Sequence, residues 1–304
     1  MRRTGSNQVY MGVEMRFIHI ALFTIVVFTS LAACTRSQEP PASRQARVYA
    51  TKAFEKYFGP APTTDKGTCF AFVIYFPSAK DPGKVVPFPF FSFDEPSLKK
   101  VAVQRLIGGM AEKSYQGELF QPFPPGTRLL DVTEKNGDVT VNFSVELLGA
   151  KPNNASERAS LNALVLTLSQ FSGVKEVRVQ VDGRQTRLDK LPRAADEHAV
   201  LQQSAPRLLS VTAMRGKGAK NVEEVDAFFD RPVEIKVLQL SGADGKPFEG
   251  DIYQSVFDMA GVLKPKDPTV FKAGMPIKVR WHVTDKLGRN AEGESDIQLE
   301  VKEH

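Results

Sequence analysis

Cysteine is nearly missing from this chain: of 304 residues only Cys34 and Cys69 are cysteine, so the fold cannot rest on a disulfide framework. Tryptophan occurs once, at Trp281, and histidine at His19, His198, His282 and His304. None of these histidines has a Cys or His partner at ligand spacing, so no metal site and no cofactor is expected. No Gly-x-Ser-x-Gly elbow and no phosphate-binding loop occurs. No unbroken apolar run reaches the ~20 residues that a spanning helix needs. A formal net charge of +5 is mild for this length and argues against nucleic acid as a partner. What remains is chain enough for one large domain or two modest ones.

The N-terminus reads as an address. Arg2, Arg3 and Arg16 precede an apolar run from Phe17 to Val27, and Leu31-Ala32-Ala33 stands directly before Cys34. A charged start, an apolar middle and a small-residue end make up the plan of a secretory signal peptide over residues 1–33. Residues 1–14 add nothing that plan requires, so Met15 is a candidate start. The Leu-Ala-Ala-Cys ending resembles the lipobox of bacterial lipoproteins. That resemblance implies cleavage before Cys34, lipidation of its thiol and acylation (palmitate or similar) of the new amino group, with two or more chains giving stable membrane attachment. Thr35 follows, not Asp, which by the sorting rule of two-membrane bacteria implies the periplasmic side of the outer membrane. Loss of residues 1–33 removes Arg2, Arg3, Arg16 and Glu14 and lowers the net charge to +3.

Residues 34–66 are rich in Pro, Ser, Gln and Thr and read as a flexible tether, with a short helix conceivable between Val48 and Phe58. Order is expected from Cys69 to Phe76, a β-rich run bounded by Gly67 and Pro77. Leu98, Ala102, Leu106 and Met110 recur at helical spacing behind Ser97, a plausible cap, and ahead of Gly108-Gly109. Two strands follow around Asn136-Gly137, a strong hairpin signal because both positions tolerate positive φ. Leu161, Leu164, Val165, Leu168 and Phe171 make a wide helical apolar face, capped by Asn154 or Ser156 and ended by Gly173. Val177, Val179 and Val181 then alternate as a strand. The order is β-α-β-β-α-β, with both helices expected on one sheet.

These residues carry a family resemblance. Pro124-Pro125-Gly126-Thr127-Arg128-Leu129-Leu130 and Gly137-Asp138-Val139-Thr140-Val141-Asn142-Phe143-Ser144 are followed by Thr167-Leu168-Ser169-Gln170-Phe171, Gly173-Val174 and Val179-Gln180-Val181-Asp182-Gly183. The series resembles the GerMN domain of GerM-type sporulation and spore germination lipoproteins and covers about residues 68–190. The resemblance implies a GerMN-like domain over 67–190 and docking to envelope proteins as its mode of action.

Residues 191–206 read as a polar connector. Beyond it, short β-rich runs at Arg207–Thr212, Pro232–Leu240, Gly250–Met259, Ile277–Thr284 and Asp296–Val301 suggest an immunoglobulin-like β-sandwich over 207–304, with Trp281 as core anchor. The fold class is therefore α+β followed by an all-β domain. Candidate chemistry is thin. Asp196-Glu197-His198 point in different directions if helical. Glu223-Glu224 have no visible acid–base partner before a presumed turn at Phe228-Phe229. Arg215 to Lys220 reads as a soluble loop, and Cys69 as a small buried hydrophobe.

The segment Val85 to Phe93 stands out. Pro87 and Pro89 keep it out of a central sheet position, and four phenylalanines are costly in water. Phe88, Phe90, Phe91 and Phe93 form the candidate docking edge for a partner protein or a membrane; the blander alternative, favoured at this point, is that they cover the sheet or the domain junction. The expectation is a lipid-anchored, extracytoplasmic, non-catalytic binding or assembly protein, held to the membrane through Cys34 and engaging an envelope protein. Glycan or peptidoglycan binding by the sandwich is the alternative, with an envelope hydrolase third. The oligomeric state stays open.

Overall fold

Ten short elements build the first lobe. In chain order they are β1 (Arg47–Ala50), α1 (Lys52–Phe58), β2 (Thr68–Pro77), β3 (Val85–Ser92), α2 (Leu98–Gly108), β4 (Leu129–Lys135), β5 (Asp138–Phe143), α3 (Ala155–Ser169), β6 (Glu176–Val181) and β7 (Arg184–Gln185). The structure is a computed structural model and describes residues 46–149, 155–190 and 194–304. Cys34 and the signal peptide lie outside the described residues.

The first lobe holds two sheets, ordered β1-β2-β3 and β4-β5-β6-β7, where the spacing had suggested one. β2 is flanked by β1 and β3 and buried on both faces, which is why Cys69 to Phe76 reads as a continuous apolar run and not as an alternation. β5 and β6 do alternate: Val139, Val141, Phe143, Val177, Val179 and Val181 are buried, while Thr140, Asn142, Arg178 and Gln180 face outward. α3 buries Leu161, Leu164, Val165 and Leu168, as its spacing requires. Ser156 falls inside α3, and Asn154 lies outside the described residues. At the hairpin between β4 and β5, Asn136 and Gly137 have φ of 57° and 93°. A Cβ on Gly137 would come within 2.7 Å of the Gly173 carbonyl oxygen, so this turn also lets the next crossing pass close by.

Part of the expected tether, residues 34–66, forms regular structure. Arg47–Ala50 adds a parallel strand to β2, and α1 seats Phe54 and Phe58 in the core at 0% and 1% exposure. The short helix conceivable between Val48 and Phe58 is thus present as Lys52–Phe58, while the strand before it carried no compositional signal. Thr51 caps α1, its side chain accepting the Phe54 N–H at 3.1 Å. The Phe-rich segment is strand β3, at the edge of its sheet.

The second lobe is built on strands, with short 3-10 turns at Val256–Asp258 and Pro268–Val270: β8 (Leu208–Arg215), β9 (Glu224–Phe229), β10 (Val233–Ser241), β11 (Gly250–Gln254), β12 (Ala260–Pro265), β13 (Pro276–Asp285), β14 (Asn290–Gln298) and β15 (Glu300–Glu303). A five-stranded sheet, β11-β12-β9-β8-β15, faces a three-stranded one, β10-β13-β14, across a shared core that includes Phe229, Leu240, Leu263, Ile277 and Trp281. Phe228-Phe229, expected as a turn, ends strand β9. Trp281 is the core anchor anticipated, 9% exposed and edge-on to Phe229 at 5.4 Å between centroids. Gly293 on β14 faces it, where a Cβ would lie 3.0 Å from the indole.

Candidate functional site

Above the short β1, one edge of β2 has no strand partner among the described residues, and the C-terminal end of α3 takes its place. The Gln170 carboxamide accepts the Val73 N–H at 2.8 Å and donates to the Val73 carbonyl at 2.6 Å, as a neighbouring strand would. Thr167 Oγ1 accepts the Tyr75 N–H at 3.3 Å, and the Thr51 hydroxyl donates to Gln170 Oε1 at 2.9 Å. Leu168 and Phe171, between and beside these groups, are core. The Thr-Leu-Ser-Gln-Phe run is thus an edge clamp: two polar residues satisfy strand backbone that burial would otherwise leave unpaired.

Two shallow clefts open on either side of this clamp and share Ala50, Thr51, Phe171 and Ser172 as a common ridge. One, of about 570 Å³, runs between Tyr49, Phe70, Lys99, Lys100 and Glu134. There Tyr49 stacks on Phe70 at 5.7 Å, the Arg47 guanidinium lies 4.6 Å from the Tyr49 ring centre, and Lys99 pairs with Glu134 at 3.1 Å. The other, of about 670 Å³, is walled by Lys52, Lys56, Tyr57, Tyr75 and Glu197. Lys56 donates to Glu197 at 2.7 Å, which raises its pKa above the ordinary lysine value, and burial raises that of Tyr75. Such walls offer aromatic faces, paired charges and hydroxyls. They suit adhesion of a polar, partly apolar surface.

The Phe segment divides. Phe88 is buried, edge-on to Tyr115 at 4.9 Å and to Phe76 at 5.7 Å. Phe90 packs on Phe72, with Arg105 over its ring. Phe91 packs on Phe54 and lies flat on Phe257 of the second lobe, at 4.5 Å and 8°. Phe93 alone among the four is open, 58% exposed. Three of the four rings therefore cover the sheet and the lobe junction. Pro87 and Pro89 have no N–H to offer an added strand, and Leu201 and Gln203 of the connector already bond the carbonyls of Val85 and Pro87.

The junction itself is polar and buried, within a single compact unit from Gln45 to His304. Arg231, 2% exposed, grips Asp230 through Nε at 2.9 Å and Nη2 at 2.8 Å, and donates to the Ser204 carbonyl at 2.8 Å. Asp230 also accepts from the Tyr115 hydroxyl at 2.7 Å and the Arg207 N–H at 3.1 Å. Burial, then the Asp230 carboxylate, raise the Tyr115 pKa. Arg289 spans the lobes, from Asp285 to the carbonyls of Gln203 and Tyr57. Sequence reading passed over Asp230-Arg231-Pro232; an adjacent acid–base pair ahead of a proline, at the end of an apolar run, was the available signal.

Other residues singled out from sequence are dispersed. Asp196 accepts the His198 N–H, while Glu197 turns to Lys56. Glu223 accepts the Gly216 N–H, and Glu224 accepts the Tyr253 hydroxyl at 2.6 Å. Cys69 is a buried free thiol. Among the described residues no cluster of three or more His, Cys, Asp or Glu could hold a metal, and no helix is long and apolar enough to cross a membrane. One displaced acid went unnoticed: Asp226, on the outer face of the five-stranded sheet. Burial, then the charge of Glu224, push its pKa up to about 7. Its Oδ1 and the Thr212 hydroxyl opposite are both buried and, among the described residues, without a hydrogen-bond partner.

Comparison with known proteins places residues 73–187 in match with the Germane family model, described as sporulation and spore germination. No curated protein matches the chain. Among solved structures, the first GerMN domain of the sporulation protein GerM from Bacillus subtilis is 20% identical, over 43% of this chain and 96% of that one, with a TM-score of 0.34. A putative lipoprotein from Clostridium perfringens is 23% identical, over 40% of this chain and 80% of that one, with a TM-score of 0.29. CopC from Methylosinus trichosporium OB3b is 16% identical, over 31% of this chain and 89% of that one, with a TM-score of 0.22.

Proposed function

We propose that this GerMN-domain chain is a lipid-anchored, non-catalytic binding and assembly protein of the extracytoplasmic cell envelope, in the sporulation or germination setting that the family description names. The observation that carries the reading is the pair of clefts flanking Thr51, Phe171 and Ser172, on a floor locked by Gln170. A surface held in place before contact loses little conformational freedom on docking. Attachment through Cys34 would confine the molecule to the membrane and raise its effective concentration toward membrane-bound partners.

The test places a cysteine on the shared ridge. Ser172→Cys, treated with a thiol-reactive crosslinker in intact cells, is expected to give a discrete adduct with one envelope protein. Leu287→Cys, exposed in the second lobe, is the control. Equal adducts from both positions, or none from Ser172→Cys, overturn the cleft as the docking surface. Cys34→Ser is expected to release the protein from the membrane fraction; retention there overturns the lipid anchor.

A glycan reading keeps one specific support, which lies in the first lobe. Trp281 is core and closed to a sugar, whereas Tyr49 is 46% exposed on the wall of a cleft. Sedimentation with isolated peptidoglycan that Tyr49→Ala abolishes would favour that reading over protein docking.

A further inference from the structure

β14 is the outer strand of the three-stranded sheet. Its nine residues pair with β13 without a register break, from Thr284–Asn290 to Pro276–Gln298. The hairpin closes with the Asp285 N–H donating to the Arg289 carbonyl at 3.0 Å. Hydrogen-bonded pairs alternate along an antiparallel ladder, so Ala291, Gly293, Ser295 and Ile297 bond inward to β13. The backbone N–H and C=O groups of Glu292, Glu294 and Asp296 therefore point outward, and among the described residues they have no hydrogen-bond partner.

Four other edges are blunted or short. β3 has its two prolines and the connector laid against it. β10 is bulged at Ile235–Val237, and the Gln254 carboxamide occupies Val233 and Ile235. β1 and β15 are four residues long. β14 has no proline and no bulge; what it has is charge. Glu292, Glu294 and Asp296 are all exposed and lie on one face of the strand. Lys278 pairs with Glu294 at 3.3 Å, and Glu292 and Asp296 have no ion pair among the described residues.

We propose that β14 receives an extended cationic segment of a partner protein as an added strand, with Lys or Arg at alternate positions facing Glu292, Glu294 and Asp296. The open main chain supplies the hydrogen bonds of strand addition, and the acidic row selects the sign of the incoming side chains. The same row turns away a second copy. Antiparallel self-pairing centred on Glu294 would set Glu294 against Glu294 and Glu292 against Asp296, and like charges directly opposite are destabilising. The proposal stands on the second lobe alone and is independent of what the clefts of the first lobe bind.

The test uses the full chain in detergent and two nonapeptides, acetyl-TKTKTKTKT-amide and acetyl-TETETETET-amide. Amide hydrogen exchange at Glu292, Glu294 and Asp296 is expected to slow ~10-fold or more with the lysine peptide and to stay unchanged with the glutamate peptide. The variant Glu292→Lys with Glu294→Lys and Asp296→Lys is expected to invert that preference. Glu294→Pro, which removes one outward N–H, is expected to weaken protection of Glu292 and Asp296 by the lysine peptide. No protection at millimolar lysine peptide overturns the proposal, as does equal protection by both peptides. Protection without peptide that grows with protein concentration overturns it in favour of self-pairing. If the triple variant fails to fold, the two-peptide comparison on the wild type and the Glu294→Pro variant still decide.

Discussion

Gln170 stands in for a strand beside Val73, accepting its N–H at 2.8 Å and donating to its carbonyl at 2.6 Å. The side chain of a residue just past the end of α3 thus completes the sheet at a point where β1 has already ended. The relationship gives the Gln of the Thr-Leu-Ser-Gln-Phe run a physical task, separate from the packing of Leu168 and Phe171.

Gln170→Leu keeps the bulk and removes both bonds, leaving backbone groups of Val73 unpaired in a partly buried place. A loss of about 2 kcal/mol is expected from that desolvation. Gln170→Glu keeps the acceptor for the Val73 N–H and sets a carboxylate against the Val73 carbonyl, so it should be no milder. Urea unfolding followed by circular dichroism measures both; unchanged midpoints would remove the clamp.

Asp226 predicts a pH dependence of stability. Its folded pKa of about 7 lies above the ordinary aspartate value of 3.8, so between those values the folded chain holds a proton that the unfolded chain has released. Stability therefore falls as pH rises through that window, and the full penalty is present above about pH 7. Asp226→Asn removes the ionisation and should be the more stable protein at pH 8 by roughly 2 kcal/mol, with little difference at pH 4. Parallel pH-stability curves for the two proteins would refute the assignment.

At the lobe junction, Arg231→Ala would strand Asp230, 5% exposed, without its bidentate partner. Breaking a buried pair from one side costs about 3–5 kcal/mol. Chemical denaturation reads the loss, and faster proteolysis near Gln203 would report loosening of the lobes. A cost below ~1 kcal/mol would mean that the pair is not buried in solution.

The Phe segment gives a paired contrast. Phe91→Asp puts a charge between Phe54 and Phe257 at a half-buried position and is expected to cost about 2 kcal/mol, because lost ring packing and partial desolvation of an unpaired charge are both expensive. Phe93→Asp, at a ring 58% exposed, should shift stability by no more than ~0.5 kcal/mol. Thermal melts of the two variants decide; equal shifts would contradict the placement of these rings.

Long periodic elements were legible before any coordinates. The α3 face from Leu161 to Leu168, the Val139-Val141-Phe143 alternation and the Asn136-Gly137 turn each carry a local signal of period or of φ tolerance. α1 was legible only as a short helix conceivable between Val48 and Phe58, and β1 was not, since four residues between loop-like flanks hold too few apolar positions to set a period. β9 was not either, since Glu224 and Asp226 on its outer face interrupt the apolar pattern.

The candidate site was mostly illegible for a different reason. Its parts come from β1, α1, β2 and α3, and no local pattern says which edge of which strand a glutamine will meet. The Phe segment shows the same limit from the other side: composition established that four phenylalanines need cover, and only the tertiary arrangement decided which receive it, with Phe76 and Tyr115 at Phe88, Phe72 at Phe90, and Phe54 and Phe257 at Phe91.

By itself the sequence determined the α+β class, the helices α2 and α3, the β5 and β6 strands and the strand-rich second half, because these follow from spacing along the chain. Tertiary structure decided the two sheets of the first lobe, the buried Asp230–Arg231 junction, the raised pKa of Asp226 and the open edge at β14. Each of those depends on groups distant in sequence meeting in space, where desolvation and pairing set energies that no local pattern encodes.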